Sequence, residues 1–100
     1  MDDKEKLQKY ISSKLNYRTL LEQLAEEASE LSQASLKVIR AYNLSDNYTP
    51  VSPLEAKANL REELEDVLVV SELLGLTKTD WYSEKLERWA KRLGYKDGEK

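Results

Sequence analysis

The 100-residue chain contains no cysteine and no histidine. Without cysteine it can form neither a disulfide framework nor a thiolate zinc site. Without histidine it lacks the commonest general base, the commonest transition-metal ligand and every Ser/His or Cys/His nucleophilic arrangement. Any chemistry that this protein performs must therefore use carboxylates, lysines, arginines, tyrosines or a bound metal.

Long apolar runs are also missing, and none approaches the roughly 20 residues that span a bilayer, so we expect no membrane partner. The first residues, Met1-Asp2-Asp3-Lys4-Glu5, are acidic and polar, unlike a signal peptide, and the expected location is the cytoplasm. The net charge is -3, the sequence pI is about 5.1, and the charged residues, 35% of the chain, mix both signs. This composition argues against binding of a nucleic acid duplex.

Glycine and proline are too scarce to interrupt the chain often, with three and two copies. Hydrophobic spacing predicts four helices and an all-α fold, in one domain over residues 1–95 followed by a frayed polar tail over 96–100. The first helix should cover about residues 3–15. Asn16 and Thr19 are alternative caps for the second helix, which should reach about Tyr42.

The later helices have clear boundary signals. Residues 43–53 are rich in turn formers, which predicts an exposed loop up to the third helix. Ser52-Pro53-Leu54-Glu55 has the pattern of an N-cap, a first-turn proline and a capping box, and Gly75 should end this helix. Thr79 or Asp80 should cap the fourth helix, and Gly94 should end it.

Acidic residues fall on the apolar side of the second helix. An ideal helix advances about 100° per residue, so each side chain can be placed around the axis. The core stripe formed in this way contains Leu20, Leu24, Leu31 and Val38. Glu27 lies inside the border of this stripe, and Glu30 lies one turn further along, beside Lys37.

The third helix repeats this anomaly. Its wide apolar arc contains Ala56, Leu60, Leu64, Val67, Leu68, Val70, Leu73 and Leu74. Glu63 and Asp66 lie within that arc, and no basic residue of the arc is near them. An isolated carboxylate in an apolar environment costs several kcal/mol or gives up its charge, so four such residues require an explanation.

Three explanations are open for the inward carboxylates. An acidic pair can simply belong to a solvated helix face, and a buried carboxylate can be paired with Lys or Arg. Two independent pairs, each on the core side of its helix, favour the third explanation, a metal site. Carboxylates without His or Cys indicate a hard cation, Mg2+ first and Mn2+ or Ca2+ next. Because Mg2+ often takes further ligands from substrate phosphates, the pattern suggests nucleotide chemistry.

The same residues carry a family resemblance. Glu26-Glu27-Ala28-Ser29-Glu30 and Glu62-Glu63-Leu64-Glu65-Asp66 resemble the paired E-E-x-x-E and E-E-x-x-D motifs of the MazG-like, all-α nucleoside triphosphate pyrophosphohydrolases. Leu31 after the first motif and Val67-Leu68 after the second are also similar to that family. The resemblance covers about residues 20–93.

The resemblance implies a four-helix MazG-like bundle, completed by dimer or tetramer assembly, that binds Mg2+. It implies hydrolysis of an NTP or dNTP to the monophosphate and pyrophosphate. By motif position, Glu27, Glu30, Glu63 and Asp66 would bind the metal, and Glu27 or Glu30 would orient or deprotonate the attacking water. One departure is the 43–53 loop, which lengthens the interval between the motifs and puts the substrate preference in doubt.

Basic and aromatic residues are further candidates for the substrate site. The family tends to place basic residues near its C-terminal end to meet phosphates, and Lys85, Arg88 and Arg92 share one side of the fourth helix. Such a stripe can equally be a solvated edge, and Lys37 has the same two interpretations. Trp81, Tyr42 and Tyr48 either stack a base or belong to a core or interface.

The width of the apolar arc predicts an oligomer. The arc on the third helix covers about 220°, whereas a surface helix of a small domain needs somewhat over 100°. We therefore expect a homodimer or homotetramer. The alternatives to an enzyme are a non-catalytic helical interaction module and a nucleotide or metal sensor with the same fold.

Overall fold

The computed structural model describes residues 2–42, 51–76 and 81–96. These ranges contain four helices, and none of their residues lies in a strand. They are α1 (Asp3–Lys14), α2 (Tyr17–Ala41), α3 (Pro53–Leu73) and α4 (Trp81–Arg92). The all-α prediction is confirmed for these ranges. The predicted loop over 43–50, the Thr79 or Asp80 cap and tail residues 97–100 lie outside the described residues. None of the described helices has the length and apolar character needed to cross a bilayer.

Side-chain caps fix where the two long helices begin. Asn16, rather than Thr19, caps α2, and its Oδ1 accepts a hydrogen bond from the Thr19 backbone N–H at 2.8 Å. Ser52 caps α3 as predicted, because its Oγ accepts from the Glu55 N–H at 3.1 Å and Pro53 follows as the first helical residue. Each cap satisfies a backbone donor that the first helical turn leaves free.

Glycine ends α3 and α4 in the left-handed conformation that other residues rarely adopt. Gly75 has φ 74°, and the N–H of Leu76 donates to the carbonyl of Ser71 at 2.8 Å. Gly94 has φ 104° at the end of α4, where Tyr95 makes the equivalent bond. Both ends are Schellman motifs, which confirms the predicted stops.

The α2–α3 pair supplies the buried residues of the described chain. They form stripes with seven-residue spacing, Leu20, Ala34 and Ala41 on α2 and Ala56 and Val70 on α3. The Lys57 Nζ atom lies 5.4 Å from the centre of the Tyr42 ring, so the end of α2 is beside the start of α3. The two helices therefore run antiparallel, and alanines in the stripes allow them to approach closely.

Each buried stripe is interrupted by a glutamate. Glu27 lies seven residues from both Leu20 and Ala34, and Glu63 occurs at the same spacing between Ala56 and Val70. Because a seven-residue step returns nearly to the same side of a helix, both glutamates must face the α2–α3 interface. The pairing that builds the small core therefore brings two carboxylates into it.

The outer helices contribute little to this core. Two side chains of α1 contact the end of α3: Lys4 Nζ and Gln8 Nε2 lie 3.3 and 2.9 Å from Glu72 Oε2. Neither α1 nor α4 has a buried residue, and the α4 residues Trp89 and Leu93 remain 62% and 80% exposed. The apolar side of α4 is therefore uncovered in the single chain.

The single chain is more open than a compact monomer of its mass. Its accessible surface is 8423 Å2, whereas a folded 11.6 kDa monomer is expected to expose about 5,800 Å2. Its radius of gyration is 18.0 Å, compared with about 13 Å for a compact 100-residue domain. Both measures exceed the values of a compact monomer.

Candidate metal centre

Four carboxylates converge where α2 crosses the middle of α3. Glu27 and Glu30 come from adjacent turns of α2, and Glu63 and Asp66 come from adjacent turns of α3. One oxygen from each of the four lies within 4.8 Å of the others. The i, i+3 spacing puts both members of a pair on one side of a helix, and antiparallel packing brings the pairs together.

Burial divides the four residues into two types. Glu27 and Glu63, which occupy the stripes, are half-buried, whereas Glu30 and Asp66 are exposed. The burial expected for all four is therefore found for two. The reason is that α2 covers only part of the wide arc of α3, so Asp66 remains at its open edge. Glu27 and Glu63 form what we call the floor of the cluster, and Glu30 and Asp66 form the side that solvent reaches.

Two carboxylate oxygens in the floor have no hydrogen-bond partner. Glu27 Oε2 and Glu63 Oε2 are both buried and unbonded, while Glu27 Oε1 accepts from Gln23 Nε2 at 2.7 Å. In the described ranges, the ion pairs involve none of the four clustered residues. The buried ion-pair explanation therefore does not fit this part of the chain, and the buried negative charge lacks protein compensation.

Electrostatic repulsion acts on Glu30. The charge of Glu27 raises the pKa of Glu30 above its ordinary value, and partial desolvation, the charge of Glu63 and a side-chain hydrogen bond with Glu63 add to this effect. Glu26 contributes least. Glu30 therefore holds a proton more tightly than an isolated glutamate, because its neighbours disfavour another negative charge.

The donor set suits a hard divalent cation. It consists of carboxylate oxygens alone, which Mg2+, Mn2+ and Ca2+ prefer. Ligands on opposite sides of one Mg2+ are about 4.2 Å apart, and those of Ca2+ are about 5 Å apart. The 4.8 Å limit within the cluster is comparable to these distances. A cation would also satisfy the two buried, unbonded oxygens, so the residues present fit such an ion.

The structure does not bring the predicted phosphate-binding residues together at the cluster. Lys37 is exposed on α2. Lys85 and Arg92 are exposed on α4, and Arg88 Nη2 pairs with Glu84 Oε1 at 2.7 Å. The only extensive helix packing in the described chain joins α2 to α3, and α4 makes no comparable contact with either helix. Binding roles for these four basic residues stay predictions.

The base-stacking roles predicted for Tyr42, Trp81 and Tyr48 stay predictions. Tyr42 lies at the end of α2 beside Lys57, and Trp81 is 62% exposed at the start of α4. Tyr48 lies outside the described residues.

Gln23 contacts the cluster through Glu27, and the sequence motifs do not include it. Its signal in the sequence is the four-residue spacing to Glu27, which lets the two side chains meet.

The raised pKa of Glu30 predicts a pH-dependent stability in metal-free buffer. Because the folded state binds this proton more tightly, the stabilising contribution is complete below the ordinary value of 4.5 and is lost as pH rises through the folded pKa. The melting temperature of Glu30→Gln should therefore exceed that of the wild type by an amount that grows as pH rises from 4.5 to 8. Thermal unfolding in a chelator, at matched protein concentration, measures this difference.

Glu62→Gln is the matched control, since Glu62 is an exposed residue of α3 outside the cluster. Its melting temperature should follow that of the wild type across the same pH range. A constant difference between Glu30→Gln and wild type at all pH values would contradict the electrostatic account of the cluster.

Comparison of the chain with protein-family models, with curated proteins and with solved structures found no match. The family resemblance therefore rests on the two acidic motifs, and the site rests on the geometry of the four carboxylates.

Proposed function

We propose that this protein is a Mg2+-dependent nucleoside triphosphate pyrophosphohydrolase of the MazG-like type, with Mn2+ as a possible substitute. One observation carries the proposal: two carboxylate pairs on different helices bring one oxygen each within 4.8 Å, with no protein cation paired to them in the described chain. The same four residues carry the geometry of the site and the resemblance of the motifs, and both support metal chemistry.

The four carboxylates have different roles in this proposal. Glu27 and Glu63 hold the cation from the buried floor, where their unbonded oxygens would otherwise remain unsatisfied. Asp66 and Glu30 complete the set from the exposed side. When bound, Mg2+ supplies positive charge that neutralises phosphate oxygens and lowers the pKa of water. Buried ligands give the site rigidity, and exposed ligands leave an opening for a triphosphate.

Glu30 is the stronger of the two candidates for the general base. It is exposed, so water can reach its carboxylate. Glu27 is half-buried, and its Oε1 already accepts a hydrogen bond from Gln23. Glu30 would take one proton from the attacking water, and Glu27 would act as a ligand.

The overall reaction consumes one water and breaks one bond between the α- and β-phosphates. The oxygen of that water becomes part of one product, and the proton accepted by Glu30 returns to solvent or to a product. Lys37 lies on α2 two turns beyond Glu30, where its ammonium group is suited to phosphate oxygens. A phosphate-binding role for Lys37 is therefore part of the proposal.

We further propose a homodimer or homotetramer as the active form. The chain exposes about 2,600 Å2 more surface than a compact monomer of its mass. The exposed apolar residues of α3 include Leu64, Leu68 and Val69. A second copy packed there would cover them, and its α4 would be able to bring Lys85, Arg88 and Arg92 toward the carboxylates.

A direct assay tests the enzymatic proposal. The protein is incubated with Mg2+ and a panel of NTPs and dNTPs, and release of monophosphate and pyrophosphate is measured. At least one nucleotide should be hydrolysed to these two products. Binding of metal and nucleotide without turnover would favour the sensor, and absence of both would favour the interaction module, for which the exposed apolar side of α4 is the supporting observation.

Divalent cations should stabilise the fold, because they offset repulsion among partly desolvated carboxylates. Millimolar Mg2+ or Mn2+ should raise the melting temperature of the wild type. Glu63→Gln should raise the melting temperature of the metal-free protein, since it removes one charge from the floor, and should abolish the response to metal. A wild-type melting temperature that does not change when divalent cations are added would contradict the proposed site.

Substitution within the motifs should separate inward from outward carboxylates. The four substitutions that alter the cluster are Glu27→Gln, Glu30→Gln, Glu63→Gln and Asp66→Asn. Each should lower the rate of pyrophosphate release by at least about a hundredfold, because each removes a ligand or base that acts in the transition state. The matched controls outside the cluster are Glu26→Gln, Glu62→Gln and Glu65→Gln. These three substitutions should lower the rate only slightly. Equal losses of rate in both sets would show that the assignment of inward and outward carboxylates is wrong.

The oligomer proposal predicts the mass in solution. Sedimentation equilibrium at micromolar concentration should return at least twice the 11.6 kDa mass of the chain. The physical reason is the incomplete core of the single chain, whose apolar α3 and α4 surfaces exceed what a soluble monomer usually exposes. A monomeric mass would refute both the packing argument and a site shared between copies.

A further inference from the structure

Gln23 makes a defined contact with the floor of the cluster. It lies on α2 one turn before Glu27, and its Nε2 donates to Glu27 Oε1 at 2.7 Å in a part-buried position. The other oxygen, Glu27 Oε2, is buried and has no hydrogen bond. The two oxygens of this carboxylate are therefore not equivalent: one is held by an amide, and the other is buried without a hydrogen bond.

We infer that Gln23 is a positioning residue for the metal site, which holds Glu27 Oε1 and so directs Oε2 toward a divalent cation. This inference rests on the proposed metal site and adds a residue that the acidic motifs do not contain. A carboxylate that is already oriented loses less conformational freedom when it binds a cation, and hydrogen bonds to the ligands of a metal typically tune its affinity for this reason.

The neutral amide is suited to this role. A lysine at the same position would bring a positive charge to Glu27 and oppose binding of a cation, whereas a glutamate would add repulsion to a cluster that already raises the pKa of Glu30. An amide donates a hydrogen bond without changing the charge of the site. Gln23 thus fixes the orientation of Glu27 and leaves its negative charge available.

A simpler role for the contact is also testable. Gln and Glu four residues apart form a side-chain pair that stabilises many helices without any ligand. Such a pair would affect the melting temperature of the metal-free protein and leave metal affinity unchanged. The positioning role predicts the opposite pattern, a loss of affinity with little change in the melting temperature. Metal affinity therefore distinguishes the two roles.

The experiment measures Mn2+ binding to the full chain by calorimetry, without nucleotide. Gln23→Met keeps the length of the side chain and removes the donor, and it should weaken Mn2+ binding about 10- to 100-fold. Gln23→Ala, which keeps high helix propensity, should weaken it similarly. The matched control is Gln33→Met, because Gln33 is an exposed glutamine of the same helix, and its affinity should equal that of the wild type.

The outcomes separate this inference from the proposed function. If the wild type binds Mn2+ and both Gln23 variants bind it equally well, the positioning role is overturned and the metal site stands. If the wild type binds no Mn2+, the metal site and the inference both fall. A tenfold or larger loss confined to the Gln23 variants, with unchanged melting of the metal-free proteins, supports the positioning role.

Discussion

The α2–α3 interface is constrained by two half-buried carboxylates that lie within its own apolar stripes. Leu20, Ala34, Ala56 and Val70 favour close packing, and Glu27 and Glu63 lie between them at seven-residue spacing. Packing holds together groups that repel each other electrostatically. Each glutamate retains a buried oxygen without a hydrogen bond, so the two helices pack together while these oxygens lack a donor. A divalent cation is the simplest species that offsets this charge, and this need is the basis of the proposed metal site.

The same interface explains why the site has an open side. Alanines at 34, 41 and 56 keep the two helix axes close, and the apolar arc of α3 extends beyond what α2 covers. Glu30 and Asp66 lie at the edge of this contact and stay exposed. A site with buried and exposed ligands on one cluster can bind a cation firmly and still admit the phosphates of a substrate. The uncovered arc is also the surface that a second copy would use.

Much of this architecture follows from local sequence. Ser52-Pro53 and Gly75 define α3 because a cap, a fixed φ and a left-handed glycine act within a few residues. The inward direction of Glu27 and Glu63 follows from their spacing to apolar neighbours. The exposure of Asp66 could not be predicted in this way, because helical periodicity gives a direction around one axis and does not say how far the next helix extends. The sparse packing of α4 against the other described helices is likewise a long-range property.

If the four carboxylates hold a divalent cation, anomalous diffraction from crystals grown with Mn2+ will locate it. We expect a manganese peak bonded to oxygens of Glu27, Glu30, Glu63 and Asp66, with Glu27 Oε1 still accepting from Gln23. An unfilled cluster in crystals that hold Mn2+ elsewhere, with its carboxylates bound instead to lysine or arginine side chains, would contradict it.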